Sequence, residues 1–500
     1  MRFNSLTYWF FLAAVVAVLW LLSGRRQRRA WLLAASYLFY ASWHWPYLFL
    51  LLGSVVFNHL GARWITGAED RSRRGAVILA GNLVLLAVFK YLDWLIVNLG
   101  VVTGWVGLPA PFEPLGLVLP LGISFYLFQA MSYIVDLMRK REKLHSFWDF
   151  QLYITYFPQL IAGPIMRAKE FLPQVTADWK IRPEDVRLGA RWIVTGLFVK
   201  IVLADGLAPA VDRAFARSPD VLGSTDVVIM AVAFGLQIYF DFSAYTRIAI
   251  GSARLCGLRL VENFNFPYSA TSPADFWARW HISLSRWIRD YLFYPLASGR
   301  PGLGGLCWAA LVAMTLCGVW HGAGWTFVLW GFYHGVLIAG YHVLTFHRRK
   351  PAARRRTAQQ TSPLGSLGTR LQLVASILAT FGFVSFGWIW FRSVGVEQAW
   401  TLSAHLLTPW DHAHRALSGT FYLHTTVLML LVWIAPWVGR AAERWLSLLD
   451  AQSTETGSFR PQQKALNWVY SLGEGALLGV LLAFCLVYLR GQTAFIYFQF

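Results

Sequence analysis

His321 is the ionisable side chain whose position is hardest to explain by packing alone. It lies in the stretch 301–345, which contains no Asp, Glu, Lys or Arg, so we expect it at membrane depth. Ionisable groups are costly there and usually face a cavity. Low dielectric disfavours imidazolium, and a neutral imidazole beside a hydroxyl is a general base that makes the hydroxyl a nucleophile towards a thioester carbonyl. The structural alternative is a histidine hydrogen-bonded across a helix contact packed by Gly318 and Gly322.

A second histidine, His281, precedes it in a segment rich in tryptophan and arginine. The apolar residues of this segment follow helical spacing and predict one amphipathic helix in the interface or beside a cavity: Trp277, Trp280, Leu284, Trp287 and Tyr291. His281 is either an ordinary interface residue or a second polar group in the same cavity, where it would position the substrate or polarise the acyl carbonyl.

Other polar residues in apolar runs are weaker candidates. Asp241 either pairs with a basic residue or shapes the cavity, and we interpret His334 and His342 as packing or interface residues. The sequence lacks Walker A, HExxH and GxSxG motifs, as well as a GxGxxG motif after a strand, and we expect no metal.

The composition is that of a polytopic membrane protein. Of 500 residues, 57% are hydrophobic and only 14% are charged, too few to cover soluble domains. The 44 Lys and Arg outnumber the 25 Asp and Glu, but the surplus lies in short loops between apolar runs. That distribution is the positive-inside bias, so we expect membrane lipids rather than nucleic acid as partners.

Apolar runs long enough to span a bilayer recur along the chain and predict an all-α bundle of roughly 11 to 13 membrane helices. They lie near 6–22, 30–43, 46–65, 76–99, 115–138, 148–166, 188–209, 226–250, 303–322, 323–346, 371–393, 421–438 and 471–490. We expect one transmembrane domain over 1–500, with its core motifs at about 115–345 and its C-terminal helices at about 371–500.

Basic clusters predict the topology. Those at 25–29, 71–74, 139–143 and 348–356 are all cytoplasmic if an even number of crossings separates each pair. The last interval holds five runs, so at least one should enter the membrane without crossing it. Because the first run precedes its basic cluster, it is a retained span rather than a signal peptide, and both termini are expected in the periplasm.

Two segments resemble the histidine motifs of the membrane-bound O-acyltransferases, in particular the bacterial alginate O-acetyltransferase branch. They are FWARWHISLSRWIRDY at 276–291 and GVWHGA at 318–323. Further blocks resemble that branch in order and spacing: LPLGISFY at 119–126, IAGPI at 161–165, YFDFS at 239–243, ENFNFPY at 262–268 and FIYFQF at 495–500. The resemblance therefore covers nearly the whole chain.

The resemblance implies a helical bundle around a funnel and tunnel in a bacterial inner membrane. In it His321 would be essential to acyl transfer and His281 would line the tunnel, together with Asp241, Trp320 and Ser285. The donor would be cytoplasmic acetyl coenzyme A or an acyl carrier. A periplasmic or membrane-anchored acetyltransferase partner would pass the acetyl group to a polysaccharide hydroxyl.

Basic residues at the cytoplasmic mouth would attract the donor phosphates, with Lys169, Arg167 and Arg289 as candidates. Two positions depart from the branch: Arg247 replaces its usual acid, and the turn at 298–304 differs. Two rival functions remain, alanyl transfer to teichoic acid by a related family member, and a transporter or flippase without covalent chemistry.

Overall fold

The computed structural model describes residues 1, 3–161, 163–178, 180–346, 367–407, 415–454, 461–488 and 495, and these residues contain helices and no strand. The first helices are α1 (Leu6–Leu21), α2 (Arg25–His44), α3 (Pro46–Thr66), α4 (Arg71–Trp105), α5 (Ile123–Met138), α6 (Phe147–Thr155), α7 (Phe157–Leu160), α8 (Ala168–Thr176), α9 (Pro183–Phe198) and α10 (Asp205–Phe215). They are followed by α11 (Ser224–Leu255), α12 (Pro273–Arg279), α13 (Ile282–Ile288), α14 (Tyr294–Ser298), α15 (Leu303–His321), α16 (Trp325–Phe346), α17 (Leu367–Arg392), α18 (Val396–His405), α19 (Gly419–Thr454) and α20 (Pro461–Val487). Short π-helical turns follow α9 and α13. The basic run at 348–356 and the chain end at 496–500 lie outside the described residues.

The helices confirm the predicted all-α membrane architecture. Among the described residues, eight helical segments are long and apolar enough to cross a bilayer, and three shorter apolar helices accompany them. Together these eleven segments reach the lower end of the predicted range.

Helix α11 lies at the centre of the bundle. In its most apolar window 83% of the residues are buried, against 22% to 50% in the other candidate spans. It packs closely on α9 because Gly251 faces that helix: a methyl group there would lie 2.7 Å from Cγ1 of Ile193. The small residue thus allows the two backbones to approach.

The first three basic clusters gather at one end of the bundle, which we call the basic face. Arg29 pairs with Asp149 at 2.7 Å. Arg71 donates to the carbonyl of Leu137, two residues before the third cluster. Helices α2 and α4 both begin in these clusters, so their C-terminal ends lie towards the opposite face.

The expected single helix over the first histidine motif is wrong. The segment forms α12 and α13, and the break falls at His281, whose φ is +41°. Asn263 explains the break, because its carbonyl and side-chain oxygens accept from the amides of Ile282 and Ser283 at 2.9 and 3.1 Å. These amides at the start of α13 therefore have partners outside the helix, and the chain can turn.

The expected run at 148–166 forms no single span. It consists of the short helices α6 and α7, separated at Tyr156, and the backbone at Gly163 and Pro164 is not helical. The amide of Ile165 donates to the hydroxyl of Ser283 at 3.0 Å, which ties this segment to α13. Irregular backbone at this depth is satisfied by protein contacts.

Candidate functional site

A cavity of about 310 Å³ lies where several helices end away from the basic face. Its wall consists of the segment 118–125 together with Trp43, Lys90, Ile161, Trp320, His321 and Phe495. Trp43 and Lys90 lie about 27 Å along α2 and α4 from their first residues, at 1.5 Å per residue. The cavity is therefore near the face opposite the basic clusters.

His321 is the last residue of α15. It lines this cavity, although only 5% of its surface is exposed. Aromatic rings enclose its imidazole. The rings of Trp330 and Phe391 stand nearly perpendicular to it at centroid distances of 5.1 and 5.2 Å. The imidazole thus has aromatic walls on several sides and faces the cavity on one.

Glycines bring α15 and α16 together directly before His321. A methyl group on Gly318 would lie 2.9 Å from Cα of Gly331 on α16, closer than real side chains approach. Helix α15 ends at His321 because Gly322 adopts an extended backbone. The helix packing therefore fixes where the imidazole stands.

Lys90 is a polar member of the cavity wall that the sequence analysis missed. Its ammonium donates to the backbone carbonyl of His321 at 3.2 Å and to that of Trp320. Its position in the sequence could have identified it, because a lysine inside the apolar run 76–99 is by default a candidate functional group. Within the described part of the chain, the cavity wall carries no carboxylate.

His281 lies near this cavity but is not part of its wall. Its side chain is fully buried, and its ring centroid lies 6.2 Å from that of Trp320, which does line the cavity. Neither of its ring nitrogens has a hydrogen-bond partner among the described residues. The ring of Phe242 packs against it at 4.6 Å.

The three residues expected to line the tunnel lie in different surroundings. Trp320 is on the cavity wall. Ser285 donates to the carbonyl of Trp280 at 2.9 Å, and Asp241 pairs with Lys200 at 2.6 Å. Ser285 and Asp241 are not among the residues that line this cavity.

The candidate donor-binding residues lie at the basic face, away from the cavity. Arg167 and Arg289 both pair with Asp290, at 2.7 and 2.8 Å, and Lys169 is exposed nearby in sequence. Burial acts to raise the pKa of Asp290, but its bonds to the two guanidinium groups outweigh burial and hold this pKa below the ordinary value. Arg139 also donates to the carbonyl of Asp290, and the carboxylates of Asp136 and Glu170 lie in the same cluster, which therefore keeps a small surplus of positive charge.

Comparison with known families identifies the chain. The model of the family MBOAT, membrane-bound O-acyltransferase family, matches residues 123–384, which include both histidine segments. The chain belongs to the membrane-bound O-acyltransferase family. This confirms the resemblance found in the sequence and makes the protein an acyltransferase.

Relatives of this acyltransferase differ in the substrates that their names state. This chain is 35% identical over 407 residues to the probable alginate O-acetylase AlgI of Pseudomonas aeruginosa, and the match covers 80% of this chain and 74% of the relative. It is 29% identical over 508 residues to the peptidoglycan O-acetyltransferase of Helicobacter pylori, covering 94% and 91%. The teichoic acid D-alanyltransferase of Bacillus subtilis is 28% identical over 298 residues, 56% of this chain and 70% of the relative.

The two departures from the alginate branch lie outside the cavity wall of this acyltransferase. The guanidinium of Arg247 stands 6.0 Å from the ring of Trp192. In the altered turn, Arg300 packs over the ring of Trp308 at 4.7 Å. Neither arginine contributes to the cavity.

Proposed function

We propose that this chain transfers an acetyl group from a thioester donor at the basic face to an acceptor that enters the cavity from the opposite face. The observation that carries this proposal is the position of His321 on the wall of that cavity. His321 lies near one face of the membrane acyltransferase, and the arginine cluster lies at the other. This arrangement is suited to acyl transfer across the bilayer.

The basic face is the cytoplasmic face in this proposal, because Lys and Arg beside spans are retained in the cytoplasm. The protein then lies in the bacterial inner membrane with both termini in the periplasm. The amino group of Met1 donates to Ser42 at 3.0 Å, near the end of α2 that points away from the basic face, which supports this orientation for the N-terminus.

His321 acts as the general base of the transfer. Its neutral imidazole takes the proton of the acceptor hydroxyl as the oxygen attacks the thioester carbonyl. The carbon–sulfur bond then breaks, the thiolate leaves and receives the proton, and an ester remains on the acceptor. In this proposal the acyl tunnel continues past Trp320 to His281, whose imidazole helps to polarise the carbonyl.

Acetyl coenzyme A is the donor that the basic face suits best. Its phosphates would be attracted by Arg167, Arg289 and Lys169, where the guanidinium groups already hold one carboxylate. Since the phosphorylated part of coenzyme A is too polar to cross the bilayer, it would stay at the basic face, and its slender thiol-bearing arm would carry the acetyl thioester through a tunnel to His321.

The acceptor is proposed to be an extracytoplasmic polysaccharide such as alginate or another exopolysaccharide, reached through a periplasmic or membrane-anchored partner. The alginate O-acetylase relatives, at 34% to 36% identity, support this choice. Alanyl transfer to teichoic acid is the second candidate, supported by relatives at 28% identity. The transporter alternative is not supported, because the family transfers acyl groups.

Inside-out membrane vesicles test the cargo and its direction. Acetyl coenzyme A labelled in the acetyl group is added outside, with polysaccharide acceptors enclosed together with the periplasmic partner. We expect labelled, alkali-labile esters on the enclosed polysaccharide and none with a labelled alanyl donor. Esters formed only from the alanyl donor, or label that enters the vesicles without forming esters, would contradict the proposal.

A further inference from the structure

Lys90 stands near the middle of α4, a helix whose neighbouring residues are largely apolar. A lysine within an apolar span is costly unless water or a polar partner receives its charge. Here the side chain lies at the cavity wall and its ammonium stands 5.5 Å from the centroid of the Trp320 ring. Its location requires an explanation that apolar packing does not give.

The partners of Lys90 are the last carbonyls of α15. Those of Trp320 and His321 both accept from its ammonium. The final carbonyls of a helix have no partners within the helix and form the negative end of its dipole. A cation here therefore satisfies two exposed acceptors and compensates the dipole at the residue that carries the imidazole.

The chain that follows the end of α15 is rich in glycine, so its backbone is held by packing, such as that of Gly322 against the ring of Phe327, and by the bonds from Lys90. Gly322 and Gly324 follow His321 within three residues, and glycine permits many backbone conformations. Terminal helical turns also fray readily. Helix α4 supplies further contacts to this region: Tyr91 donates to the carbonyl of Val319 at 2.9 Å, and Asn98 accepts from the indole of Trp325 at 2.8 Å.

We propose that Lys90 is a positioning residue for His321: by binding the carbonyls of residues 320 and 321, it fixes the last turn of α15 and aims the imidazole into the cavity. This inference rests on the proposed role of His321. The lysine acts through the backbone of the histidine, so its loss should lower turnover more than substrate affinity. Misplacement of a reacting group by about 1 Å can cost about 10²-fold in rate.

The test compares Lys90→Met, Lys90→Arg and the matched control Lys180→Met in the purified protein in lipid nanodiscs. Lys180 is an exposed lysine away from the cavity. We expect Lys90→Met to lower kcat about 10- to 100-fold while KM for the donor changes less than about twofold. Lys90→Arg should restore most of kcat, and the control should match the wild type.

Hydrogen exchange gives a readout that does not depend on activity. Backbone amides at 319–324 should exchange faster in Lys90→Met than in the wild type or in Lys90→Arg. If Lys90→Met does not accumulate, Lys90→Gln, which retains a donor without the charge, replaces it and should show intermediate kcat and exchange.

The inference would be overturned if Lys90→Met had the kcat and the amide exchange of the wild type. It would also be overturned if Lys90→Met lost kcat and Lys90→Arg did not restore it. His321→Ala in the same assay separates the two proposals. If His321→Ala is inactive while Lys90→Met is normal, only the positioning role fails. If His321→Ala is active, the proposed function fails, and amide exchange at 319–324 still tests whether Lys90 holds the last turn of α15.

Discussion

Lys200 and Asp241 form an ion pair of 2.6 Å in the interior of the bundle, and the lysine side chain has no solvent exposure. The same ammonium pairs with Asp205 at 2.7 Å. Lys200 belongs to the π-helical turn after α9, whereas Asp241 belongs to the central helix α11. The ion pair therefore joins two neighbouring spans, where charges need partners.

Lys200→Met should destabilise the protein by about 3–5 kcal/mol, because it leaves two buried carboxylates without their shared cation. Asp241→Asn should cost less, about 1–3 kcal/mol, since Lys200 keeps Asp205. Unfolding in mild detergent measures both. An unchanged transition in Lys200→Met would show that this triad does not hold the spans together, and equal losses in the two variants would show that the remaining pair of Lys200 with Asp205 adds no stability.

Gly318→Ala should destabilise the α15–α16 contact by about 1–3 kcal/mol and lower acyl transfer, because the added methyl group has no room against Gly331. Gly304→Ala on the same helix is the matched control, since a methyl group there meets nothing within 4 Å. Thermal unfolding and transfer rates are measured for both. Wild-type behaviour of Gly318→Ala would mean that this contact does not position His321.

His281 combines a buried ring with a left-handed backbone, so two substitutions are needed to separate its roles. Alanine removes the ring and strains the backbone, whereas asparagine tolerates positive φ better. We expect His281→Asn to fold like the wild type but to lose about tenfold or more in kcat. Wild-type turnover in this variant would remove His281 from the reaction.

Asp290 makes stability depend on pH at the basic face. Its pKa in the folded protein lies below its ordinary value of 3.8, so the stabilising ion pairs are fully present above pH 3.8 and are lost as pH falls towards the folded pKa. When the pH is lowered across this value, the unfolding temperature of the wild type should fall more than that of Asp290→Asn. Identical pH dependence would mean that the pairs with Arg167 and Arg289 contribute no measurable stability.

Long apolar spans are the part of the fold that the sequence predicted best. The runs at 46–65 and 226–250 correspond to Pro46–Thr66 and Ser224–Leu255, because long apolar stretches in a bilayer leave few alternatives to a helix. The helix over the first histidine motif was wrong, because its break depends on Asn263, which precedes it in the chain and is in contact only after folding. Periodicity does not report such contacts.

The contacts of Lys90 at the site were likewise not predictable from the sequence. Its position inside an apolar run marked it as unusual, but its bond to the carbonyl of His321 joins residues more than 200 positions apart. Conversely, the isolated position of His321 in an uncharged stretch was sufficient to select it as a candidate, because few other ionisable groups compete there.

Acyl transfer by His321→Ala tests the central claim most directly, with His334→Gln as the matched control. His334 is a buried imidazole on α16 that packs on a side chain neighbouring His321, the ring of Trp330, but is not among the residues that line the cavity. We predict that His321→Ala accumulates in the membrane like the wild type and loses at least about 10²-fold of the acetyl ester formation rate, while His334→Gln retains it. Ester formation at the wild-type rate by His321→Ala would contradict the account.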